Sequence, residues 1–201
     1  MMKKWQLFIS ILVLFCGCVS ADNQKLPYKT QNVDYGSFTI ELPVNWKPLT
    51  VEYEDSAVGN IQIDNTSFIG FDLGQYSNNL NEDDFEDYYE LMDGKVYLID
   101  KSSSRNNRKL NYFGKADNAT LEKVRKSNVK WVTIDGYKTK VLIAKKTGVG
   151  LTGIYIDSLG LENGTKVKFV MSGKDLSLQQ QDQFLTAIKT IKFFNKPTVL
   201  K

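Results

Sequence analysis

The side chains that most often do chemistry at neutral pH are scarce in this sequence. The chain of 201 residues contains no histidine, which excludes Ser-His-Asp and Cys-His hydrolysis and His-ligated zinc. Its two cysteines are Cys16 and Cys18, so the rest of the chain has no thiol for a disulfide, a redox pair or a metal site. Carboxylates remain, and the densest run is Glu82, Asp83, Asp84, Glu86 and Asp87, followed by Glu90. Calcium wants several hard oxygens. This run, however, lacks the alternating ligand loop with its glycine, and successive carboxylates on a helix point apart, so it reads as a solvated acidic face. Gly148, Gly150 and Gly153 fit G-x-G-x-x-G by letter. A dinucleotide would need a helix to begin there, whereas Ile154, Tyr155 and Ile156 continue as a strand, and the glycines are expected to form a turn between strands. No metal and no cofactor are expected. A glycosidase-like carboxylate pair stays open as the alternative function, a cell-wall hydrolase, although none of the 23 acidic residues is marked out for it.

Charge placement says more than net charge. Lys and Arg number 4 against 16 Asp and Glu over residues 22–100, 13 against 3 over 101–146, and 7 against 4 over 147–201. Two candidate partner-binding faces follow. One is acidic, formed by Glu82, Asp83, Asp84, Glu86, Asp87 and Glu90; the other is basic, formed by Arg105, Arg108, Lys109, Lys123, Arg125 and Lys126. If the fold keeps them apart the domain is a dipole that steers a charged partner; if it interleaves them, they neutralise each other.

The elements that must position these residues are legible from period. Alternation or short apolar runs predict strands over 37–42, 57–63, 67–73, 129–134, 138–144, 151–159 and 165–171. Asp135-Gly136 and Asn163-Gly164 predict tight hairpins. A helix is expected from Asn81, with Phe85, Tyr88, Tyr89 and Met92 at helical spacing. A second has a Ser177/Gln180 capping box and an apolar stripe of Leu178, Phe184, Leu185, Ile188 and Ile191. A weaker third covers 118–126, and 102–108 is expected as an exposed loop. The fold class is α+β, an antiparallel sheet with packed helices.

The N-terminus carries an address. Lys3 and Lys4 precede an apolar run of 11 residues over 5–15, broken by Gln6 and Ser10; this is a secretory signal, too short to cross a bilayer core of ~30 Å as a helix. Its end, Leu14-Phe15-Cys16-Gly17-Cys18, resembles the lipobox of bacterial lipoproteins, with Phe15 where leucine is usual. The resemblance implies lipidation of Cys18, a signal over 1–17 and a tether over 18–33. With Val19 rather than aspartate after the cysteine, it also implies the periplasmic face of the outer membrane. The folded domain is expected over 34–195, with a tail over 196–201.

Phe38-Thr39-Ile40-Glu41-Leu42-Pro43-Val44-Asn45-Trp46 resembles the opening strand of the PsbP-like superfamily, which includes DcrB-like lipoproteins. The close of the chain, from Lys166-Val167-Lys168-Phe169 to Thr190-Ile191-Lys192-Phe193, is similar to the strand, helix and short strand that end those domains. The resemblance implies an αβα sandwich with a non-enzymatic accessory role at membranes. The expected function is a lipid-anchored binding module, either an accessory factor of an envelope complex or an immunity protein. Its partner would be an envelope protein or an exported toxin, and not nucleic acid.

Overall fold

A computed structural model describes residues 28–49, 52–53, 55–80, 89–100, 102 and 107–194. Antiparallel sheet dominates, with two short helices, so the chain is a mixed α+β protein. The first sheet pairs β1 (Thr30–Asp34) with β2 (Phe38–Pro43), and a short C-terminal strand, Lys192–Phe193, lies on the other side of β2. Period two puts Phe38, Ile40 and Leu42 on one buried face of β2. The residues expected as a tether up to 33 are therefore a strand from Thr30. Its alternation is weak because only one side of this polar edge meets the protein, and its backbone is satisfied by β2.

The large sheet has eight strands. After the short β3 (Lys47–Pro48) and β4 (Glu52–Tyr53), which both pair with β5 (Ser56–Gln62), the neighbour is β6 (Phe68–Gly74). A third sheet is a meander of β7 (Tyr89–Met92), β8 (Lys95–Ile99) and β9 (Leu110–Lys115). The rest of the large sheet is β10 (Ser127–Ile134), β11 (Tyr137–Ala144), β12 (Leu151–Glu162) and β13 (Thr165–Lys174), with β13 against β6 and β10 at the far edge. Both expected hairpin turns form: Asp135-Gly136 and Asn163-Gly164 all have positive φ, the geometry that matches strand twist. The final strand, Lys192–Phe193, is β14.

The helix expected through Met92 is corrected. Asp93-Gly94 is another turn with two positive φ angles, and it folds Tyr89–Met92 back on β8 as a strand. Four residues are too few to separate period 3.6 from period two, and the turn decides. The first part of that expected helix, 81–88, lies outside the described residues. Helix α1 (Asn118–Val124) starts where expected and stops at Arg125, which is extended and leads into β10; Asp117 caps it by accepting from Thr120 N at 2.8 Å. Tyr89, Val96 and Val124 make a small core between this helix and the third sheet.

Helix α2 (Leu178–Ala187) has the expected Ser177/Gln180 capping box and runs into a 3₁₀ turn, Ile188–Thr190. Phe184, Ile188 and Ile191 enter the main core as the stripe predicts, Leu185 packs against it partly buried, and Ala187 joins them. Leu178, expected in that stripe, is 58% exposed. Gln181 is buried instead, donating to Thr152 Oγ1 at 2.8 Å and Ala144 O at 3.3 Å, so a polar anchor seats the helix on β11 and β12.

The main core lies between the first sheet, one face of the large sheet, and α2. Its centre is aromatic: the Phe38 ring meets Phe71 and Phe169 edge-on, each with centroids at 5.1 Å. Trp46 is buried beside it, its Nε1 without a hydrogen-bond partner among the described residues. The opposite face of the large sheet buries Leu142, Tyr155 and Val170 beneath Leu80.

The turn between β5 and β6 is tied to α2 through Asp64. Its carboxylate accepts from Thr66 N at 2.8 Å, Ser67 N at 2.7 Å and Gln180 Nε2 at 2.6 Å. The backbone donors Thr66 and Ser67 hold its pKa at about 2, below the ordinary 3.8. A depressed carboxylate contributes stability that is present above its unfolded value and lost as pH falls through the folded one. Denaturation midpoints measured against pH should therefore fall from about pH 4 toward about pH 2, and Asp64→Asn should flatten that limb. An unchanged slope in the variant would remove Asp64 from the account.

Candidate binding site

Strand β10 reaches the edge of the large sheet anchored at both ends. Ser127 Oγ donates to Leu151 O at 2.6 Å, and Ile134 is buried. The six residues between them are all exposed. Register puts Val129 and Trp131 on one face with Leu142 and Lys140, and Lys130, Val132 and Ile134 on the other with Val141 and Tyr137. The strand thus presents apolar groups on both faces.

On the first face Trp131 is 57% exposed, and Lys138 Nζ sits 4.8 Å from its ring centroid, a cation–π contact. Lys140 Nζ donates to Leu80 O at 3.0 Å, which fixes the end of the β6 loop beside this face. The second face holds a half-open cleft of about 430 Å³, lined by Lys130, Val132 and Ile134 of β10, Val141 and Ile143 of β11, Leu185 of α2, and Ile188 and Lys189 of the turn that follows. Asp135 also lines it, but its charge is already committed: Oδ1 accepts from Lys192 Nζ at 3.0 Å and Oδ2 from Phe193 N at 2.8 Å. Burial pushes the Asp135 carboxyl up, yet those two donors outweigh it and hold the group below the usual carboxylate range.

The residues of the two expected faces lie partly outside the described residues and otherwise on several elements. Glu82, Asp83, Asp84, Glu86 and Asp87 lie outside the described residues, as do Arg105 and the lipidation candidate Cys18, while Glu90 is half-buried on β7. Lys123, Arg125 and Lys126 occupy the end of α1 and its link to β10, whereas Arg108 and Lys109 lead into β9. Gly148 and Gly150 form the expected turn, with φ of 71° and 106°, but Gly153 lies inside β12 and no helix follows. The candidate binding residues that sequence reasoning missed are Lys130, Trp131 and Lys189. A signal for the first two was present, since 129–134 places apolar residues at both odd and even positions within the basic segment 101–146.

Tyr155 donates to Asp157 Oδ1 at 3.0 Å, and Lys166 pairs with the same carboxylate. Burial pushes the Tyr155 hydroxyl up to about 12 with help from Asp157, so it stays a protonated donor and the trio acts as a cross-strand tie. Among the described residues no three His, Cys, Asp or Glu side chains cluster to hold a metal, and no helix is long and apolar enough to cross a membrane.

No family model and no curated protein matches the chain. A crystal structure from Bacteroides thetaiotaomicron is similar over 84% of this chain at 9% identity, with a TM-score of 0.32. The chain spans about half, 49%, of that structure's length.

Proposed function

We propose that the chain is a lipid-anchored bacterial envelope protein whose α+β domain, a PsbP-like sandwich, is a non-enzymatic protein-binding module. The supporting observation is the β10 edge, where Trp131 stands 57% exposed at the end of an eight-stranded sheet. No strand pairs with β10 beyond β11 among the described residues, so its edge offers backbone groups to an incoming strand, and exposed Trp is the residue type that most often anchors an interface. Lys138 and Lys140 beside it on the same face favour an acidic partner strand. The anchor is Cys18, holding the domain at the periplasmic face of the outer membrane. The partner is either an envelope complex or an exported toxin, the latter engaged by the acidic run 82–90.

Crosslinking in intact cells tests this with full-length wild type, Trp131→Glu and, as a control, Tyr76→Glu, where Tyr76 is 77% exposed on another loop. Trp131→Glu should cost on the order of 2 kcal/mol of binding or more, while the control keeps the partner. Equal recovery by both variants removes the β10 edge as the docking surface. Cys18→Ala should release the protein from the membrane. Charge reversal at Asp83, Asp84 and Glu86 that leaves toxin binding intact would remove the immunity version.

A further inference from the structure

The cleft on the other face of β10 has a chemistry of its own. Its interior is made of Val132, Ile134, Val141, Ile143, Leu185 and Ile188, all aliphatic, with no ring among its lining residues. Thr133 is the one neutral polar residue among the lining residues, so a peptide lying there would leave most of its amide groups unpaired, which costs free energy for each. A flat aromatic ligand would find no ring to stack on. A flexible hydrocarbon chain has neither problem, and a volume of about 430 Å³ lies within the range of small-molecule sites.

The rim then selects the head group. Lys130 on β10 and Lys189 in the 3₁₀ turn after α2 both line the cleft, and both are exposed. Neither has an ion-pair or hydrogen-bond partner among the described residues. The acid in the lining, Asp135, is neutralised by Lys192 and the Phe193 amide, so it does not oppose an incoming anion. We infer that this cleft binds a single aliphatic chain ending in a carboxylate, with the chain against β10, β11 and α2 and the carboxylate between Lys130 and Lys189.

This site is independent of protein docking at Trp131, because successive residues of a strand face opposite sides of the sheet. Loss of one activity therefore leaves the other measurable. A phospholipid would bring two chains and a bulky head, more than a cleft of about 430 Å³ can hold, which favours a free fatty carboxylate.

Photolabelling of the full chain in phosphatidylethanolamine nanodiscs tests the assignment, using dodecanoic acid that carries a diazirine and mapping label by peptide mass spectrometry. Label should concentrate on peptides holding Val132, Ile134 and Leu185. It should be competed by dodecanoate but not by dodecyltrimethylammonium, and should fall about tenfold in the Lys130→Glu/Lys189→Glu double variant. Both lysines are exposed, so circular dichroism of that variant should match wild type. Uniform labelling, or labelling indifferent to the charge reversal, would make the probe a bilayer solute and overturn the site. Equal competition by the cationic amphiphile would overturn the carboxylate. Labelling of the cleft only after removal of residues 195–201 would make this chain's own tail the occupant and overturn it as well.

Discussion

Phe38→Ala is expected to lower the free energy of unfolding by about 3–5 kcal/mol, a large part of the ~5–15 kcal/mol that holds an ordinary domain together. The ring is 1% exposed. It touches Tyr35 from the turn after β1, Phe71 from β6, Phe169 from β13 and Phe193 from β14, so one side chain joins the first sheet, the large sheet and the last strand. Truncation removes apolar area and also leaves a hole that rigid neighbours from four elements cannot close together. Urea unfolding followed by circular dichroism should show the midpoint shift, with Phe68→Ala, at 43% exposure, nearly silent. A loss below about 1 kcal/mol for Phe38→Ala would mean the two sheets are not held through this ring.

Gly153→Ala should be similarly severe although it adds only one methyl group. Gly153 sits opposite Ser172 in the β12–β13 ladder. A Cβ there would lie 2.6 Å from Ser172 Cβ and 2.7 Å from Met171 O, and neither atom can retreat without parting the strands. Overpacking of this kind costs typically ~1–3 kcal/mol, and the central position of both strands puts the expected loss near the upper end, at about 3 kcal/mol. Gly70→Ala is the comparison, because its added methyl meets only Asn60 Oδ1 at 3.2 Å, the end of a side chain that can rotate away. Thermal melts should rank Gly153→Ala well below Gly70→Ala. Equal melting temperatures would show that β12 and β13 can separate locally without cost.

Where local chemistry is strong, the fold could be read before it was seen. The alternation over 37–42, the Asp135-Gly136 and Asn163-Gly164 turns and the Ser177/Gln180 box each act within a few residues, and each is in place. Strands β1, β8 and β9 were not legible. Their side chains are mostly half-exposed or exposed, so no apolar face marks the period, and pairing with a neighbour holds them. Tyr89 looked helical because Phe85, Tyr88 and Met92 gave it company at the right spacing, while the Asp93-Gly94 turn that settles the matter follows immediately after.

The candidate site was less legible than the fold, for a topological reason. Lys130, Trp131 and Val132 have their meaning only because β10 ends the sheet, and strand order is decided by pairings such as β13 with β6, some 100 residues apart in the chain. Aromatics in a strand pattern read as core until the missing neighbour is known. Lys189 likewise gains its role from where α2 ends relative to β10, which no local pattern records.

The two tryptophans of the described residues differ in a way that makes the protein its own reporter. Trp46 is 1% exposed and Trp131 is 57% exposed with an ammonium group over its ring. In a chain without residues 1–17, and so without Trp5, their fluorescence should resolve into a blue-emitting component shielded from acrylamide and a red-emitting one open to it. Partner capture at the sheet edge would extinguish the accessibility of the second alone, whereas unfolding would merge the two, so recognition and denaturation can be told apart in one cuvette without a label.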